Sequence, residues 1–165
     1  RGLGDVYKRQ LMDYMEALVE MYPTCEAVLF QTSGKMFTRD KIVNHQIPRE
    51  RRFLYFAVNV RFFNIEGTGD MMVDSLGMST LYLPDLQYHF HGMDPNWVVN
   101  HAYNMLSYIY DNDCPIESGE TIDGVENGEL NRNVRWKCQY EDSLIQPSRL
   151  VIDVCMGELA AGNRG

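Results

Sequence analysis

The sequence predicts an α+β domain, a largely antiparallel sheet with two or three helices packed on it. Three observations predict it. Phe53 to Phe63, Asp85 to His91, Asn133 to Tyr140 and Leu150 to Cys155 alternate along the chain in the period-2 manner of strands. Leu11, Tyr14, Met15, Leu18 and Tyr22 instead recur at helical spacing, closed by Pro23. Asp94-Pro95-Asn96 is a helix start with a mechanism: Asp94 accepts from orphan backbone N–H groups, and proline is tolerated at the first helical position. Strands and helices are mixed along 165 residues without an internal repeat or a linker, which points to one domain.

Taken in order, the first ten residues, RGLGDVYKRQ, resemble a translated sequencing-adapter read-through of the kind found at the ends of metagenomic gene predictions. Residues 1–10 are therefore expected to be an assembly artefact that at most extends the first helix passively, with the native N-terminus missing. Residues 11–156 make the domain, and residues 157–165 a frayed tail. Glu26 to Gln31 is short and apolar and is expected to be a buried strand, with Lys35 to Phe37 returning beside it. Thr38 is placed to cap a short helix over Arg39 to Asn44. In Phe53 to Phe63 one face carries Leu54, Phe56, Val58, Val60 and Phe62, so this run is read as the strongest strand, with one buried face. Gly67 to Asp70 is a turn and Met71 to Val73 pairs back. Asp85 to His91 sets Leu86, Tyr88 and Phe90 against Gln87, His89 and His91. The helix after Asp94 runs to about Tyr110 with Val98, Ala102, Met105 and Ile109 on its inward stripe. Glu117 to Glu129 reads as a solvated acidic loop before the last two strands.

Composition bounds the function. The formal charge is −8 and the pI about 4.9. The first ten residues carry three cations against one carboxylate, which leaves −10 on the rest. A phosphate backbone is repelled by such a surface, and the Arg49, Arg51, Arg52 group is interrupted by Glu50, so nucleic acid is excluded as a partner. No apolar run approaches the ~20 residues of a membrane span. Cys25, Cys114, Cys138 and Cys155 are widely spaced, form no C-x-x-C pair and read as reduced, mostly buried thiols of a cytoplasmic protein.

Motifs for chemistry are few. His89-Phe90-His91 places two imidazoles on one strand face, where both can grip a divalent metal, with Asp94 or His101 as third ligand. Ser33-Gly34-Lys35 lacks the phosphate-loop frame, Ser143 and Ser148 lack a nucleophile elbow, and no cysteine is paired in sequence with a histidine. The acidic loop lacks the ligand spacing of a calcium loop. Aromatics are in surplus: Tyr55, Phe63, Tyr82, Tyr103, Tyr108 and Tyr110 do not all fit on the core stripes. Of these, Tyr82, Tyr108 and Tyr110 are the candidates for anchoring a protein partner.

Four segments occur in an order that resembles the bacterial domain-of-unknown-function family 4261. They are V-N-V-R (Val58 to Arg61), S-L-G-M…L-P-D (Ser75 to Asp85), the helix with Asn104, Met105, Ser107 and Tyr108 followed by S-G-E-T-I (Ser118 to Ile122), and Q-P-S-R (Gln146 to Arg149). The likeness runs from about Cys25 to Met156. Tyr82 and Ser148 stand where the family has glycine, and Asp85 where it has glutamate. The resemblance implies a fold and brings no activity with it. The leading functional expectation is a non-enzymatic protein-interaction module, without a cofactor, for a basic protein partner. An immunity-type protein binding a basic toxin is one special case of it. The alternative is a small metal-dependent enzyme built on His89 and His91.

Overall fold

A computed structural model describes residues 3–162. The α+β class and the largely antiparallel sheet are as expected. Contacts along the chain gather into two compact units, residues 1–59 and 60–165, which are described in turn.

The first unit contains α1 (Leu3–Met21), the hairpin β1 (Ala27–Phe30) and β2 (Lys35–Thr38), and α2 (Arg39–Val43). Residues 3–10 continue α1, with Val6 and Tyr7 about half exposed (52% and 49%) and Lys8 buried. The inward stripe of α1 is Met12, Glu16 and Val19, while Tyr14 and Tyr22 are exposed. The sequence stripe is thus rotated, because a buried glutamate is invisible to apolar periodicity. Glu16 is tolerated inside because the Arg52 guanidinium donates to it. β1 and β2 form a two-stranded sheet of half-exposed residues, not the buried strand expected.

Phe53 to Ala57 is a π-helical turn rather than the start of a strand. Phe53, Phe56 and Ala57 are buried at i, i+3 and i+4 spacing, and the Phe56 ring stacks on Phe30 and meets Phe37 edge-on at 5.0 Å. The Lys35 ammonium closes this turn by donating to the carbonyls of Tyr55 and, at 3.0 Å, Val58. The strand proper, β3, is Asn59–Asn64, and Phe62 on its expected buried face is exposed.

The second unit is built on a six-stranded sheet in the order β3-β4-β5-β8-β7-β6. Its other strands are β4 (Met71–Leu76), β5 (Asp85–Phe90), β6 (Thr121–Glu126), β7 (Glu129–Asp142) and β8 (Leu150–Cys155). Only the β5–β8 pair is parallel among those with assigned register. α3 (Pro95–Asn112) starts at Asp94, whose carboxylate accepts from the Asn96 N–H at 2.9 Å. It buries Val98, His101, Ala102, Leu106, Ile109 and Tyr110, among the apolar groups of a core that includes Leu86, Tyr88, Phe90, Trp136, Ile152 and Val154. Met105 lies at the edge of that stripe rather than within it.

Two expectations change here. The acidic segment after α3 is not all loop: Thr121–Glu126 pairs with β7 across a two-residue turn, Asn127-Gly128, both with positive φ. The tail is not frayed through Gly162. Ala160 bridges to Phe90, the Ala161 N–H donates to the His89 carbonyl at 2.9 Å, and Ala161 is buried. Residues 163–165 lie outside the described chain. All four cysteines are free thiols, Cys138 buried and the other three partly so. No helix among the described residues is long and apolar enough to cross a membrane.

Candidate functional site

The sheet of the second unit has one unusual face. Period-2 alternation puts Leu86, Tyr88 and Phe90 on one side of β5 and therefore Asp85, Gln87 and His89 on the other. Register extends Gln87 into a polar row across four strands: Asp74 on β4, Gln87 on β5, Asp153 on β8 and Gln139 on β7. Asp74, Gln87 and Asp153 are buried. Buried charge of this kind persists only when it is matched.

Matching comes from two arginines. Arg61 donates to both carboxylate oxygens of Asp74, from Nε to Oδ1 at 2.8 Å and from Nη2 to Oδ2 at 2.5 Å. Arg149 donates through Nη2 to Asp74 Oδ2 (2.8 Å) and the Ser75 carbonyl (2.7 Å), and through Nη1 to the carbonyls of Ile145 (3.1 Å) and Pro147 (2.9 Å). Its Nε lies 3.4 Å from Asp85 Oδ2, an ion pair without a hydrogen bond. Burial pushes the Asp85 carboxyl up to about 6, against the opposing pull of the Ser75 hydroxyl, the Met78 N–H and the Arg149 charge. Gln87 completes the face: its amide donates to Glu141 (3.1 Å) and Asp153 (3.0 Å), and its carbonyl accepts from the Leu144 N–H (2.7 Å).

Arg61, Ser75, Asp85 and Arg149 come from three of the four sequence segments singled out above, more than 80 residues apart at the extremes. They meet in one cluster whose evident work is structural. It clamps the 143–149 loop against β4 and β5, and its charges neutralise one another.

The histidines do not assemble as the metal-site expectation requires. His101 is inside the core, its Nδ1 2.8 Å from the Tyr88 hydroxyl and its Nε2 2.8 Å from the Asp123 carbonyl. A carbonyl only accepts, so Nε2 carries the proton and Nδ1 receives the Tyr88 O–H. Both ring nitrogens are therefore committed, and burial holds the imidazole below its ordinary pKa and neutral. Asp94 is committed to the cap of α3. His89 is mostly buried, with Nε2 3.9 Å from Asp70, and His91 is exposed past the end of β5. Among the described residues, the group of three metal-ligating side chains that does converge is elsewhere: Glu16, Glu20 and His45.

The tyrosines separate as sharply. Tyr110 is 5% exposed, part of the core, because it falls on the inward stripe of α3; it is not a surface anchor. Tyr82 is 93% exposed in the left-handed conformation (φ 58°) at the end of a 3-10 turn. It borders a depression of about 470 Å³ with Leu83, Pro84, Cys114, Tyr140 and Leu150. There the Tyr140 hydroxyl donates to the Ile116 carbonyl (3.0 Å), so the Cys114 thiol is the donor in the 3.1 Å contact between them. Tyr108, 46% exposed, borders a second depression of about 380 Å³ between α3 and the β6–β7 hairpin, lined also by Met105, Ile122 and Leu130 and by Asn104 and Thr121. At its side, Arg135 is held by Asp123 and by the Thr121 hydroxyl and carbonyl.

Residues 74–155 match the family model of a domain of unknown function, DUF4261. The match starts at Asp74 and ends on the last residue of β8, so it encloses Ser75, Asp85 and Arg149, with Arg61 outside it. It lies wholly within the second unit and is shorter than the span of likeness expected from sequence. No curated protein and no solved structure matches the chain.

Within the DUF4261 stretch, sequence reasoning found the segments but not their meeting. Asp74 and Gln87 carried no signal beyond being polar on strands. The β6–β7 hairpin, which forms one wall of the Tyr108 depression, was signalled by Asn127-Gly128 between two alternating runs.

Proposed function

We propose that the DUF4261 stretch is a non-enzymatic protein-interaction module whose anchor point is the depression beside Tyr108. The observation that carries this reading is the pairing of an exposed tyrosine with Met105, Ile122 and Leu130 along a recess whose other lining residues include Asp123 and Arg135. An aromatic ring of this kind loses little entropy on docking and buries a large area. The polar face of the sheet supports the same reading from the other direction. Its carboxylates and guanidiniums are spent on one another and on the 143–149 loop. The chain's net charge of −8 favours a basic partner, with an immunity-type protein facing a basic toxin as one instance.

The test is native mass spectrometry of the full chain after incubation in bacterial lysate, alongside the double variant His89→Ala/His91→Ala. The module reading expects both to carry the same protein adduct, basic in composition and lost as salt is raised. A wild-type chain that retains a metal and no protein, with the metal lost in the double variant, would overturn it in favour of the metal-dependent enzyme.

A further inference from the structure

α1 presents Glu16 and Glu20 four residues apart, on one face of the helix. Two carboxylates in that relation repel, and Glu16 is only 11% exposed at its side chain. A hydrogen-bonding group between them relieves that repulsion. His45 fills that place: its Nδ1 is 2.7 Å from Glu16 and its Nε2 3.3 Å from Glu20. It is brought there by a left-handed backbone (φ 55°) just after α2. The other oxygen of Glu16 is fixed by Arg52, itself almost fully buried, and Arg52 and Arg49 are both paired with Asp13. The oxygen aimed at His45 therefore has a set direction.

This arrangement differs from an acidic surface cluster. It has mixed nitrogen and oxygen donors, all within 4.8 Å of one another. One ligand is oriented by an arginine behind it, as outer partners orient ligating carboxylates in metal sites. Access is open, with His45 61% and Glu20 49% exposed at their side chains. An imidazole with two carboxylates suits a borderline cation such as zinc better than calcium or magnesium, which take oxygen alone.

We propose that Glu16, Glu20 and His45 form a zinc-binding site on the first unit, with water completing the coordination. Without metal the imidazole bridges the two carboxylates, and on binding one ring nitrogen gives its lone pair to the metal.

The experiment titrates ZnCl2 into the full chain at neutral pH, read by native mass spectrometry, with cobalt(II) absorbance as a second probe. Two variants accompany it. Glu20→Gln changes an exposed side chain, and His45→Asn keeps a residue that accepts the left-handed backbone. Far-UV circular dichroism and a cooperative thermal transition without metal confirm that both are folded. The expected result is one zinc per chain, removed by EDTA, with affinity down at least about tenfold in Glu20→Gln and absent in His45→Asn. A wild-type chain that takes no zinc, or variants that bind as tightly as wild type, would overturn the assignment. The second outcome would move the metal to other histidines.

Discussion

The two faces of the six-stranded sheet solve the same problem with opposite chemistry. Under α3, Leu86, Tyr88, Phe90, Ile152, Val154 and Trp136 are sealed with Val98, Ala102, Leu106 and Ile109, and His101 is neutral with both nitrogens satisfied. On the other face Asp74, Asp85, Gln87 and Asp153 are just as buried, yet charged or polar, the first two held by Arg61 and Arg149 and Asp153 by the Gln87 amide. The apolar face gains from many small, interchangeable contacts. The polar face depends on a few specific ones. A one-residue slip of β5 would exchange the two faces and strand Asp85 and Gln87 on the apolar side under α3. The polar face thus fixes register, and the apolar face supplies most of the burial.

That contrast predicts a ranking. Arg149→Ala leaves Asp74 with one guanidinium and Asp85 with none, and frees the 143–149 loop, so it should cost about 3–5 kcal/mol. Leu106→Ala opens a cavity that neighbours partly fill and should cost about 3 kcal/mol. Urea midpoints of the two variants measure the difference. If Leu106→Ala proves far more damaging, the polar face is peripheral to stability.

A smaller effect sharpens the comparison by pH. Asp85 has its pKa raised from 3.8 to about 6, so its contribution to stability is fully present below 3.8 and is lost as pH rises through about 6. The loss is on the order of 3 kcal/mol, because a raised carboxyl pKa means the folded state disfavours the charged form. Asp85→Asn should flatten the thermal midpoint between those pH values, while Leu106→Ala should leave its pH profile unchanged. Parallel profiles for wild type and Asp85→Asn would remove Asp85 from the account.

Much of the fold was legible in sequence for reasons the structure makes clear. Asp94-Pro95 marks the start of α3, and β5, β7 and β8 alternate as half of each strand meets an apolar core. Phe53 to Phe63 misled because a short apolar run fits both periods; Phe53, Phe56 and Ala57 carried the helical one. Tyr110 misled for a related reason, since a stripe drawn through Met105 instead of Leu106 leaves it outside. The buried ion cluster was out of reach. Arg61, Asp74 and Arg149 are ordinary surface residue types, and only the strand order β3-β4-β5-β8 brings them together. Among the functional candidates, Tyr82 and Tyr108 were legible as surplus aromatics, whereas Glu16, Glu20 and His45 were hidden by the loop that returns His45 to α1.

The central claim, that the buried charges serve the fold and the Tyr108 recess serves a partner, is tested most directly by Tyr108→Ala. The measurement is the fraction of full-length chain carrying a protein adduct in native mass spectra after incubation in bacterial lysate, wild type against variant. Because Tyr108 is half exposed, stability should move by less than about 0.5 kcal/mol. The account predicts an adduct on the wild-type chain that is lost, or reduced at least about tenfold, in the variant, as expected for a docked aromatic anchor. An adduct of equal abundance on both chains, or a bare monomer in both, would contradict it.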